Sequence, residues 1–261
     1  MNKLLQILLS LIIISLSPNL LAAAADEVKT DSDDFETTIF EDEIYDPLEG
    51  INRAVFGFNN VADKIILEPA AKGYKKLPTP IQSGIGNFIK NLKLPLVAVN
   101  QLLQGQGKNA VESTGRFFIN STIGIFGLID VADNIGLEQK EEDFGQTLAT
   151  YGVGDGFYIV LPLFGPSNLR DTAGMVMTMM TDPVNAYATN QGEAWAIPVR
   201  TAANAVDQRS KIIDEVNALR DNSVDYYAAV RSSYYQNRKA AIMNTDDDVL
   251  TPLPLISIEF E

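Results

Sequence analysis

The chain has 261 residues, a formal net charge of −14, and neither histidine nor cysteine. Imidazole and thiol groups are thereby excluded as nucleophile, general base or metal ligand. The charge sits at the ends: residues 26–49 hold eleven acids against Lys29 alone, residues 244–261 hold five acids and no base, and the body between them carries none net, so it offers no basic footprint for nucleic acid.

Residues 1–25 read as a cleavable signal peptide. Lys3 precedes an apolar run from Leu4 to Leu16, and Ala23-Ala24-Ala25 offers a small-residue cleavage site. An uncleaved anchor is the alternative, but the run is short for a span of roughly 20 residues. Residues 26–45 form an acidic leader expected to stay solvated, as does the acidic tail 244–261. An exported chain without disulfides takes its stability from packing or from a membrane.

The body, 46–243, opens with Asp46 as helix cap and Pro47 at the first helical position. Ile51, Val55, Phe58, Ala62 and Ile65 then recur at helical spacing, and Pro69 is expected to end that helix. A helix over 81–103 is expected to be interrupted near Pro95, and another to run from about Asn109 to Asn120. Ser121 to Asp130 is apolar, glycine-broken and too short to span a bilayer.

Gly152, Gly154 and Gly156 alternate with other residues, which suits either a hinge or a tight hairpin. The spacing does not match a phosphate-binding glycine loop. Phe157 to Phe164 leans towards strand, and Gly165-Pro166 closes it. A Met-rich helix covers Gly174 to Met180, its thioethers serving either as core filler or as an adaptable surface for acyl chains. Trp195 to Arg220 reads as one amphipathic helix that buries Ile212, Val216 and Leu219. Ser223 to Met243 reads as another, whose Tyr226, Tyr227, Tyr234 and Tyr235 suit either packing or a headgroup-level girdle. The fold class expected is mainly α, with one small hairpin.

Polar groups interrupt the apolar stretches at Asn59, Asn60, Asn100 and Asn120. In a soluble protein they mark solvent faces. In a membrane-embedded body they must face one another or a wet cavity, and they are then candidates to line a lipid channel. The glycines at 152, 154 and 156 are the candidate gate. No metal or cofactor set suggests itself.

The ordered motifs carry a resemblance. Asp46-Pro47-Leu48-Glu49-Gly50-Ile51-Asn52-Arg53, Phe56-Gly57-Phe58-Asn59, Val99-Asn100-Gln101-Leu102-Leu103-Gln104-Gly105, Arg116-Phe117-Phe118-Ile119-Asn120-Ser121-Thr122-Ile123-Gly124, Asp143-Phe144-Gly145-Gln146-Thr147-Leu148, Tyr151-Gly152-Val153-Gly154 and Leu161-Pro162-Leu163-Phe164-Gly165-Pro166-Ser167 together resemble the MlaA/VacJ family of outer-membrane phospholipid-transport proteins. The resemblance covers about 46–240. It implies a ring-like α-helical body in the periplasmic leaflet of the outer membrane, with a central amphipathic channel. The implied task is removal of mislocalised phospholipid from the outer leaflet, without enzymatic chemistry. The implied partners are phospholipid, a trimeric porin and a periplasmic lipid-binding shuttle of the MlaC type. The chain departs from the family pattern in having no lipoprotein cysteine. A phospholipid hydrolase and a non-transporting envelope scaffold are the alternatives.

Overall fold

The computed structural model describes residues 44–244. The signal peptide, nearly all of the acidic leader and nearly all of the acidic tail lie outside the described residues. The described part is mainly α with one antiparallel two-stranded hairpin, as expected.

Helix α1 spans Glu49–Ala62, a π-helical turn follows at Asp63–Leu67, and α2 continues over Glu68–Tyr74. Pro69 does not end this run. It falls where the π turn passes into α2, beside Glu68, whose N–H reaches back to Asp63 O. Asp46 is not the cap either: the cap position is Leu48, which makes no side-chain bond. The Asp46 carboxylate instead receives Asn52, Tyr227 and Arg231.

Helix α3 runs over Thr79–Leu103 straight through Pro95, so the expected interruption is absent. The hydrogen bond lost at the proline is offset by the extensive packing of α3 on α4, Gly107–Thr122. Beyond α4 the backbone enters a left-handed turn at Ile125, Phe126 and Gly127, with φ of 52°, 57° and 86°. The short helices α5 (Val131–Asn134) and α6 (Phe144–Thr150) follow. Strand β1 (Tyr158–Leu161) pairs with β2 (Gly165–Asn168) in the register Tyr158↔Asn168 to Leu161↔Gly165.

Helices α7 (Leu169–Thr181), α8 (Pro183–Asn190) and α9 (Ala196–Lys211) come next, then α10 (Ile213–Asn222) and α11 (Tyr226–Met243). The single helix expected over Trp195–Arg220 is thus two, broken at Ile212. Ile212, expected inside, is 47 % exposed, whereas Ile213 is 4 % exposed. The break resets the helical phase by one residue. Asp214 and Glu215 in the first turn of α10 favour the new N-terminus.

Contacts between elements close a circuit. Helix α1 packs on β1, β2 on α7 and α11, α7 on α6, α6 on α3 and α3 on α9; α9 returns through α2 and the π turn to α1. The apolar core is small. Tyr158, Val160 and Tyr227 are buried, with Val55, Phe56, Tyr234 and Tyr235 packed around them. The rings meet tilted or edge-on at centroid distances of 5.1–6.1 Å. Tyr227, Tyr234 and Tyr235 are therefore packing residues of this cluster.

Candidate functional site

Polarity is inverted in the described body. Its largest fully buried side chains are Arg116, Tyr158, Gln101, Asn52, Asn100 and Asn168. Bulky apolar side chains such as Ile65, Ile66, Phe118, Ile123, Phe126 and Leu163 stand 61–76 % exposed. A water-soluble domain usually does the reverse. Among the described residues no helix is long and apolar enough to cross a membrane.

The buried polar groups are arranged as clamps. Asn52 and Asn59 lie two turns apart on one face of α1. The Asn52 amide donates to Tyr158 O at 3.1 Å and accepts from Val160 N at 2.9 Å. Asn59 repeats the pattern with Leu161 O at 2.9 Å and Leu163 N at 2.8 Å. Each side chain joins a carbonyl to the N–H two residues on, as a neighbouring strand would. The outer edge of β1 is thus satisfied by a helix, so the two-stranded sheet needs no further strand there. Asn60, next on the helix, has its Oδ1 enclosed without a partner.

Asn100 is fully buried on α3. Its Oδ1 accepts from Thr147 Oγ1 of α6 at 2.8 Å, and its amide donates to Leu96 O at 3.0 Å. Gln104 extends this cluster to Glu142 and Thr147 at 2.8 and 3.1 Å. Asn120, on α4, donates to Asp130 Oδ1 at 2.9 Å and accepts from Ala132 N at 2.9 Å. Arg116 binds the other Asp130 oxygen at 2.7 Å and also donates to Leu137 O. The four asparagines singled out in the sequence therefore occupy three separate clusters, and no hydrogen bond joins one cluster to another. Three of the four have their amides engaged by protein groups.

Of the three glycines, Gly152 and Gly154 are exposed, and a Cβ at either would meet nothing within 4 Å. Gly152 and Gly156 hold left-handed φ of +81° and +71°, and a Cβ at Gly156 would approach Leu169 Cβ to 2.8 Å. The segment is thus open at its middle and pinned at its end. Asp155 within it is held by Arg170 of α7.

Sequence reasoning missed the charged latch that ties α11 to this region. Arg238 binds both oxygens of Asp143 at 2.7 and 2.8 Å and reaches Asp171. Tyr234 also donates to Asp171, at 2.6 Å. Burial would raise the Asp143 carboxyl, but the bonds and charge of Arg238 outweigh it and hold Asp143 below the usual carboxylate range. Asp46 shows the same balance: burial raises it, and bonds from Tyr227, Arg231 and Asn52 bring it below the ordinary value. Burial foremost, then the Asp171 hydrogen bond, pushes the Tyr234 hydroxyl far up. The seven-residue spacing of Asn52 and Asn59 was the available signal for the clamp. No local spacing announces the latch, because its members are 67 and 95 residues apart.

The clamps around Asn52, Asn59, Asn100 and Asn120 are thus engaged in holding the fold together. Among the described residues no cluster of acids could hold a metal ion. Comparison with known proteins agrees with this picture. The family model for the MlaA lipoprotein matches residues 44–241. The intermembrane phospholipid transport system lipoprotein MlaA of Haemophilus influenzae is 38 % identical over 199 residues, 74 % of this chain and 77 % of that protein. Its Escherichia coli counterpart is 38 % identical over 197 residues, 73 % of this chain and 76 % of that one. A Rickettsia prowazekii protein of undescribed role is 39 % identical over 202 residues, 77 % and 79 %. A solved structure described as the structural basis for maintenance of bacterial outer membrane lipid asymmetry matches at TM-score 0.67 and 37 % identity. That match covers 76 % of this chain and 98 % of the solved one.

Proposed function

The chain belongs to the MlaA lipoprotein family, and from that premise we propose that it moves phospholipid between membranes without breaking a bond, clearing mislocalised phospholipid from the outer leaflet of the outer membrane. The single observation that carries this reading is the inverted polarity: buried asparagine, glutamine and arginine inside, exposed isoleucine, leucine and phenylalanine outside. Such a body resides in a lipid leaflet, because its exterior is solvated by acyl chains and its polar interior is shielded from them. The closed circuit of element contacts supports a ring with a passage through it.

The energetics suit a passage. Extracting a lipid into water exposes two acyl chains at about 0.8 kcal/mol per CH₂, on the order of 20 kcal/mol in all. Dragging the headgroup through hydrocarbon costs tens of kcal/mol in the idealised limit. A polar wall for the headgroup beside an apolar path for the tails lowers both.

Asn59, Asn100 and Asn120 would set the walls of that passage, since their amides already hold neighbouring elements, and Asn60 would stand beside Asn59 on the same helix. Gly154 would be the moving part of the gate, with Gly152 and Gly156 as its pivots. The ring would lie in the periplasmic leaflet beside a trimeric porin and hand lipid to a soluble periplasmic carrier.

Complementation tests the proposal. In a strain lacking its own family member, this chain is expected to lower outer-leaflet phospholipid to the parental level. Unchanged outer-leaflet phospholipid, with the protein present in the envelope, would overturn it. Gly154→Pro is expected to impair retrieval while the protein still folds. Lysolipid or free fatty acid released from labelled lipid by the purified chain would instead mark a hydrolase.

A further inference from the structure

Between the first half of α3, α8 and α9 lies a cavity of about 330 Å³ whose wall is almost wholly carbon. Ile89, buried at 4 % exposure, is among its lining residues. Phe88, Trp195 and Val199, 38 %, 64 % and 55 % exposed, are its outermost members. The opening is bordered by these apolar side chains, with Glu193 accepting from the Trp195 indole N–H at its edge. A ligand entering from water would meet exposed grease first, whereas one entering sideways from hydrocarbon would not change environment.

Polar chemistry at the cavity comes from Arg200 and Asn185. Arg200 Nη2 donates to the buried carboxylate of Asp182 and to Asn185 Oδ1 at 3.0 Å. Its Nη1 is enclosed with no acceptor. The charge of Arg200 is thus already balanced by Asp182, while one of its donors lacks a partner. The guanidinium therefore has no spare charge to offer a second anion, and the cavity suits an uncharged, apolar guest.

We propose that this cavity is a lateral slot for one acyl chain of a phospholipid. The assignment rests on the transport reading and names how a lipid docks on its way to the passage. The volume lies at the lower end of ligand-sized pockets, so it takes part of one tail and leaves the second tail and headgroup outside.

Trp195 is the only tryptophan of the chain and lines the slot, so its fluorescence reports occupancy. Full-length protein in a steroid detergent is titrated with phosphatidylethanolamine brominated on its acyl chains. Saturable quenching near one lipid per chain is expected. Ala188→Phe and Ala203→Phe, each filling the cavity from a different helix, are each expected to raise the half-saturating lipid at least ten-fold. Quenching that rises without saturation, alike in wild type and both variants, would show general immersion and overturn the slot. A brominated free fatty acid that quenches at lower concentration than the phospholipid would overturn the phospholipid assignment. So would quenching by a protein partner's brominated side chain in preference to lipid. Retrieval in cells separates the two readings: restored asymmetry by wild type together with non-saturable quenching removes the slot alone, whereas failure of wild type to restore asymmetry removes the transport reading.

Discussion

Asn52 occupies a buried position, 1 % exposed, where an aliphatic side chain would be usual. Its amide satisfies Tyr158 O, Val160 N and Asp46 together. Asn52→Leu would keep the volume roughly and leave those groups unpaired, at about 1–3 kcal/mol for each one that water cannot reach. A loss of about 3 kcal/mol is expected in urea unfolding of the detergent-solubilised protein. Asn59→Leu should cost about 1 kcal/mol, because its partner Leu163 is exposed and water can replace the amide. Equal losses at both positions would remove the clamp as the reason for burial. The tyrosines set a second expectation. Burial first, with nearby carboxylates second, raises Tyr158, Tyr227 and Tyr234 well above the ordinary 10.0. A group so raised stays protonated in the fold, so its stabilisation is complete below pH 10 and is lost as pH climbs towards the folded value. Asp46 and Asp143 are lowered from 3.8, so their contribution is complete above that value and fades as pH falls beneath it. Near-ultraviolet circular dichroism should thus hold constant across the neutral range and collapse at both extremes.

Among the elements, α6 and α7 meet through glycine. A Cβ at Gly174 would lie 2.5 Å from Gly145 N and 2.9 Å from Gly145 Cα. Both contacts are with backbone, so no side chain can swing aside. Gly174→Ala is expected to cost on the order of 3 kcal/mol, the upper end of overpacking penalties, whereas Gly154→Ala, with nothing within 4 Å, should unfold at nearly the same urea concentration. This contrast also marks how far the sequence could be read. Helices α4 and α11 were visible within a few residues of their ends, and the first strand of the hairpin was visible from the β-leaning run after Gly156, whereas Gly165-Pro166, expected to close that strand, opens β2. Breaks were misplaced where the deciding factor lay elsewhere in the chain. Pro69 is accommodated beside a π turn and Pro95 against a packed neighbour, and the kink at Ile212 has no proline or glycine to announce it. The candidate asparagines were found by their oddity among apolar residues, yet their partners are 10 to 104 residues away. Spacing along one helix cannot supply those.

At the scale of the whole described body, the question is what solvates its outer surface, and the turn at residues 125–127 gives a way to ask. Ile125 and Phe126 hold φ of 52° and 57°, a region that bulky and β-branched residues rarely enter. Phe126 donates its N–H to Ser121 O at 3.1 Å, but its side chain is 76 % exposed, so little burial of the ring inside the described protein offsets the strain. Gly127 beside it is locked in place, since a Cβ there would lie 2.7 Å from Asn91 Cβ. If hydrocarbon receives the phenyl ring, burial of that ring outside the protein contributes about 1.5–3 kcal/mol to membrane residence. Phe126→Asn separates the two effects. Asparagine accepts a positive φ more readily than phenylalanine, so thermal stability in detergent should be unchanged or raised. Partition into phospholipid vesicles should fall by roughly ten-fold or more, the equivalent of the lost transfer energy. In cell envelopes, the wild-type protein should resist extraction by high salt and yield to detergent, and the variant should shift towards the salt-soluble fraction. A variant that folds better and binds vesicles as tightly as wild type would mean that water, and not lipid, faces this turn, and the same conclusion would then extend to the apolar exterior that the ring-in-a-leaflet reading requires.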